Sequence, residues 1–126
     1  MSAEPTRILV VDDNDALREN IAEALELEGY QVAAEASGAA ALARLAGEPL
    51  PRVVIADLMM PGIDGRELLA RIRGDPRLEG VRVVITTGAS GVRSTLPTAD
   101  GLLTKPFGVK DLLAMLRKVG LDPGAP

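Results

Sequence analysis

With 126 residues the chain has the size of one domain with a single sizeable core, and 47% apolar and 25% charged residues match an ordinary folded protein rather than a disordered or fibrous one. A formal charge of −4, with arginines and lysines scattered instead of forming a run, disfavours direct nucleic-acid binding. Cysteine and histidine are both absent, which excludes disulfides, thiolate zinc sites, cysteine nucleophiles, the usual general base and a phosphoryl carrier on imidazole nitrogen.

The N-terminal MSAEPTR has no signal-like apolar core, and no run reaches the ~20 apolar residues of a membrane span, so a cytoplasmic location without membrane attachment is the default expectation. ILVV at 8–11 is a continuously apolar first strand that runs into Asp12 and Asp13. Leu17, Ile21, Ala24 and Leu25 mark one face of a helix that Gly29 stops. A weaker strand, QVAA at 31–34, leads to a short helix at 39–46, bounded by Ser37–Gly38 and Gly47. VVIA at 53–56 is again a buried strand and ends on Asp57; the helix that follows at 65–73 lies between Asp64 and Asp75–Pro76. VRVVIT at 81–86 runs into Thr87. Residues 88–100 are rich in Gly, Pro, Ser and Thr, so a fourth helix there is expected to be short or irregular. GLLT at 101–104 is the last strand, followed by Lys105, Pro106 and Phe107. Val109, Leu112, Leu113 and Leu116 repeat helical spacing in a final helix ending near Gly120. The alternation predicts an α/β fold with a doubly wound, five-stranded parallel sheet and helices on both faces, occupying 5–121, with flexible ends at 1–4 and 122–126.

In such sheets ligands bind beyond the carboxyl ends of the strands. Those ends carry Asp12 and Asp13, Asp57, Thr86 and Thr87, and Lys105. Each has a plain reading alone: Asp12, Asp13, Asn14 or Asp15 could cap the first helix, Asp57 could be a turn residue, and Lys105 a solvated charge. Convergence on one rim is what those readings leave unexplained. Carboxylates 4 Å apart repel by roughly 4 kcal/mol per pair at an effective dielectric of 20, so a cation belongs among them. Oxygen ligands alone suit Mg²⁺ and disfavour zinc or copper. A metal-held carboxylate beside an ammonium and a hydroxyl is also the equipment of phosphoryl transfer, with Asp57 as nucleophile and Lys105 and Thr87 serving phosphoryl oxygens.

Four segments, VVDDND, DLMMPGIDG, the apolar strand ending in ITTG, and LLTKPF, together resemble the receiver domain of two-component response regulators over about 7–119. The resemblance implies a flavodoxin-like fold with strand order 2-1-3-4-5. It implies that Asp57 accepts a phosphoryl group from a phosphohistidine on a sensor histidine kinase or histidine phosphotransfer protein. Asp12, Asp13, Asp57 and the backbone carbonyl of Met59 would hold Mg²⁺, and a cis Lys105–Pro106 bond would aim the lysine at the site. The family pattern of apolar run, variable residue, Thr and small residue selects Thr87, followed by Gly88, over Thr86 as the switch hydroxyl. Phosphorylation would draw Thr87 inward and signal by conformational change to a downstream effector that the sequence leaves unnamed.

The departures are specific. Many members carry Tyr or Phe three residues before the lysine; Leu102 stands there, so the aromatic readout is missing. The short segment before Lys105 alters the usual output face, as in receivers attached to hybrid sensor kinases, so a stand-alone receiver and one from a hybrid kinase both fit. Met59 puts an apolar side chain where some members carry a polar group. Two other functions compete. A receiver-like interaction module that is never phosphorylated would have no need of Asp12, Asp13, Asp57, Thr87 and Lys105 together. A haloacid-dehalogenase-type phosphatase would carry its nucleophile in a D-x-D motif after the first strand, whereas Asp57 follows the third and Met59 occupies the second motif position.

Overall fold

The computed structural model describes residues 7–88 and 96–121. Five strands, β1 (Arg7–Val11), β2 (Gln31–Glu35), β3 (Val53–Asp57), β4 (Arg82–Thr87) and β5 (Gly101–Thr104), form one parallel sheet in the order β2-β1-β3-β4-β5. Among the described residues, four helices connect or follow them: α1 (Asp15–Leu27), α2 (Gly38–Leu45), α3 (Gly65–Arg73) and α4 (Val109–Lys118). A 3-10 turn, Pro76–Leu78, follows α3; Pro76 pre-sets its first residue and Asp75 caps it.

Side chains alternate along each strand and divide the core in two. Leu9, Val11, Val54, Ala56, Val83 and Ile85 pack with Ala41 and Leu45 of α2 and Leu68, Leu69 and Ile72 of α3. Ile8, Val10, Val53, Ile55 and Val84 face the other way, onto Ile21 and Leu25 of α1 and Leu112 and Leu116 of α4. The central strand β3 is buried along its whole length, as its unbroken apolar run requires. Edge strand β2 is half exposed, which accounts for its weaker pattern.

Local chemistry sets the helix ends. Asn14, Ser37 and Asp64 each accept a hydrogen bond from the backbone N–H three residues on, at Leu17, Ala40 and Glu67. Gly29 and Gly120 close α1 and α4 with φ of 98° and 89°, left-handed conformations that glycine adopts without steric cost.

The structure shifts several expected bounds. β3 extends through Asp57 and β4 through Thr87, so both residues belong to the sheet rather than to the loops beyond it. Val109 was expected on the buried face of the final helix but is exposed, because it opens α4 and the buried stripe begins one turn later at Leu112. The expected irregular fourth helix falls largely on residues 89–95, outside the described residues; 96–100 form a turn leading into β5. The expected flexible ends also lie outside the described residues. Among the described residues, no helix is long and apolar enough to cross a membrane.

Candidate functional site

Parallel strands deliver their C-terminal ends to one rim, and the register brings β1, β3 and β4 to it side by side, Asp57 opposite Thr86. Asp12 directly follows β1, Asp57 ends β3, Thr87 ends β4 and Lys105 directly follows β5. Of the four residues that could have capped α1, Asn14 does so, which leaves Asp12 and Asp13 to the rim. Asp12, Asp13 and Asp57 each offer a carboxylate oxygen, and these oxygens all lie within 4.8 Å of one another. Lys105 Nζ donates to Asp57 Oδ1 at 3.1 Å and lies 3.7 Å from Asp12 Oδ2. The Lys105–Pro106 bond is cis.

Asp12 is held by every polar group it has. Its backbone N–H donates to the Glu35 carbonyl at 3.2 Å, and its own carbonyl accepts from Arg18 Nη1 at 2.7 Å. Its Oδ1 accepts the Asn14 N–H at 2.9 Å, while Oδ2 faces Lys105. Burial pushes the Asp57 carboxyl above its ordinary pKa; the Lys105 hydrogen bond opposes this and the Asp12 charge adds to it. Asp12, Asp57, Thr86 and Thr87 are buried, whereas Asp13 and Met59 are exposed at the mouth. The Met59 backbone also opposes the rise of the Asp57 pKa, as the smallest of these influences.

Three carboxylates against one ammonium leave the cluster under-compensated, and its donor set is oxygen only. That combination fits a hard divalent cation such as Mg²⁺. Lys105 N–H also donates to the Thr87 carbonyl at 2.7 Å, tying the ends of β4 and β5 together behind the site.

The expected Asp12, Asp13, Asp57 and Lys105 are thus brought together. Thr87 reaches the same rim one residue beyond the Thr86–Asp57 pairing, and Leu102, in the place of the aromatic, packs half-buried against the α2–α3 side of the core. Two supporting residues escaped the sequence reading. A Cβ on Gly65 would lie 2.4 Å from the Asp57 carbonyl oxygen and 2.8 Å from Leu58 Cα, so only glycine lets α3 start directly beneath the acidic strand end. Its one signal is the second glycine of PGIDG. Arg18, which clamps the Asp12 carbonyl, looked like one more scattered charge.

Comparison with known proteins gives a consistent picture. The model of the response regulator receiver domain family matches residues 8–117. Response regulator MprA of Mycolicibacterium vanbaalenii is 35% identical over 129 residues, covering 96% of this chain and 54% of that protein, so the chain spans about half the length of this curated relative. The chemotaxis protein CheY4 of Vibrio cholerae superposes with a TM-score of 0.85 at 28% identity, over 92% of this chain and 99% of that one. Response regulator TrrA of Thermotoga maritima, solved in complex with Mg²⁺ and BeF, superposes with a TM-score of 0.80 at 34% identity, over 90% of this chain and 98% of that one.

Proposed function

The chain belongs to the response regulator receiver domain family, and on that premise we propose that it is a phosphorylation switch whose acceptor is Asp57. The observation that carries this reading is the pairing of Lys105 Nζ with Asp57 Oδ1 at 3.1 Å inside a cluster of three carboxylates. Asp12, Asp13, Asp57 and the Met59 carbonyl would hold Mg²⁺, which TrrA binds in its solved complex and which would neutralise phosphoryl oxygens.

An Asp57 carboxylate oxygen attacks phosphorus, forming a P–O bond while the P–N bond to the donor imidazole breaks and the nitrogen keeps the electron pair. The phosphohistidine donor would lie outside this sequence, which contains no histidine, on a sensor histidine kinase or histidine phosphotransfer protein. Lys105, already directed at Asp57, transfers its hydrogen bond to a phosphoryl oxygen. The Thr87 hydroxyl serves another, and its movement into the site shifts the chain that follows β4. The buried walls restrict water, so the acyl phosphate persists long enough to signal to an effector. The chain is on this reading a signalling phosphoacceptor that promotes only its own phosphoryl transfer and autodephosphorylation.

Incubation with Mg²⁺ and acetyl phosphate followed by intact mass measurement tests the reading. A gain of one phosphoryl group that Asp57→Ala abolishes is the expected result. No gain on the wild-type chain would return the function to an unphosphorylated interaction module.

A further inference from the structure

The acidic cluster has a support on α1 that lies outside the ligand set and outside the reacting atoms. Arg18 sits one turn into α1 with its side chain only 15% exposed. Its guanidinium forks: Nη1 donates to the Asp12 carbonyl at 2.7 Å and Nη2 to Asp15 Oδ1 at 2.7 Å. The first contact fixes the peptide unit that joins Asp12 to Asp13, and the second fixes the first residue of the helix. Between them lies Asp13, the exposed carboxylate of the cluster.

Asp12 is also held by Glu35, Asn14 and Lys105 contacts, so it has redundant support. Asp13 has a short loop, whose entry and exit Arg18 closes. We infer that Arg18 is a positioning residue for the cation site, fixing the Asp12–Asp13 peptide so that the Asp13 carboxylate is presented without an ordering cost when Mg²⁺ binds. This rests on the reading of the acidic cluster as the Mg²⁺ site.

Two effects of Arg18 oppose each other, which makes the inference testable. The guanidinium sits on the Asp12 carbonyl, and its positive charge repels a cation arriving at the cluster, so removing its charge alone would tighten Mg²⁺ binding. Removing its planar fork loosens the loop and weakens binding. Arg18→Lys keeps the charge and loses the fork, whereas Arg18→Met loses both.

The experiment is a titration of MgCl₂ into the wild-type chain and both variants, followed through backbone amide shifts, with urea unfolding in parallel. Arg18→Lys is expected to raise the apparent Mg²⁺ dissociation constant by about tenfold, the low end for groups that orient metal ligands. Arg18→Met is expected to raise it less, because the lost repulsion partly offsets the lost fork. At saturating Mg²⁺ the rate of phosphorylation by acetyl phosphate returns close to that of the wild type, since Arg18 touches no reacting group. An unchanged affinity in Arg18→Lys, or tighter binding in Arg18→Met, overturns the inference, as does a fall in the urea midpoint alone. A wild-type chain that binds no Mg²⁺ overturns the cation-site reading itself, so the two failures are distinguishable.

Discussion

Charge is concentrated at both ends of the sheet, but the two concentrations are built in opposite ways. At the end where β4 and β5 begin, Arg73 closes α3 with each of its three guanidinium nitrogens donating: Nε to the Thr98 carbonyl at 3.0 Å, Nη1 to the Val81 carbonyl at 2.9 Å and Nη2 to Asp100 Oδ2. The same Asp100 oxygen accepts the Val83 N–H at 2.7 Å, and Arg82 lies 3.8 Å from the other. One carboxylate there meets two guanidinium groups and a backbone donor. At the far rim three carboxylates share one ammonium, although two of the three are drier: the Asp12 and Asp57 side chains are 2% and 8% exposed, against 24% for both Arg73 and Asp100. A saturated cluster holds a fold together; a dry and under-compensated one has capacity left for a ligand.

The contrast can be broken most severely at Lys105. Lys105→Met removes the single cation and a donor aimed at the reacting oxygen, and phosphorylation by acetyl phosphate should slow by about 10²- to 10³-fold in a time course read by intact mass. Its effect on folding should be small by comparison. Arg73→Met should do the reverse. It removes a donor from three acceptors, of which Asp100 Oδ2 keeps the Val83 N–H, and should cost about 2–3 kcal/mol of stability in urea unfolding. Its phosphorylation rate should stay within about twofold of the wild type, because the sites are independent. Equal rate losses in both variants would erase the distinction between the two ends.

A smaller effect is expected at Met59. Its apolar side chain is exposed two residues past the acceptor, and Met59→Asn should shorten the phosphoryl lifetime by a few-fold, well under the ~10²-fold of a full general base. An unchanged decay rate would remove Met59 from the account. The last effect is a matter of sign. Because burial raises the Asp57 pKa in the folded chain, the folded state binds more protons than the unfolded one between the two pKa values. The contribution of Asp57 is therefore present below the unfolded pKa and is lost as pH rises through the folded one. Asp57→Asn should be more stable than the wild type at neutral pH, with the advantage vanishing on acidification through the ordinary carboxylate range, as urea midpoints across pH would record. Lys105 keeps Asp12 as a partner in that variant, 3.7 Å away.

Much of this was legible in the sequence because it depends on neighbours along the chain. Apolar runs gave the strands, Ser37 and Asp64 two helix starts, and Gly29 and Gly120 the stops, while Asn14 was one of four candidate caps until the structure selected it. The topology of parallel strands then put Asp12, Asp57 and Lys105 on one rim without further information. What escaped depends on contacts far apart in sequence or on backbone packing. Asp100 meets Arg73 across 27 positions, and nothing in the composition of either segment marks the pairing. Gly65 is required by the Asp57 carbonyl pressed against it, which a pattern of apolar spacing does not register. Arg18 acts on a carbonyl, and carbonyls are identical in every sequence. The periodicity that included Val109 describes a stripe, and a stripe does not say where along the helix the core begins.

The central claim is that Asp57 carries the phosphoryl group. Borohydride reduces an acyl phosphate on aspartate to homoserine, so trapping the chain after incubation with Mg²⁺ and acetyl phosphate, then sequencing its peptides by mass spectrometry, locates the acceptor directly. Homoserine at position 57 alone is the predicted result. Homoserine at position 12, 13 or 64, or at none, would contradict it.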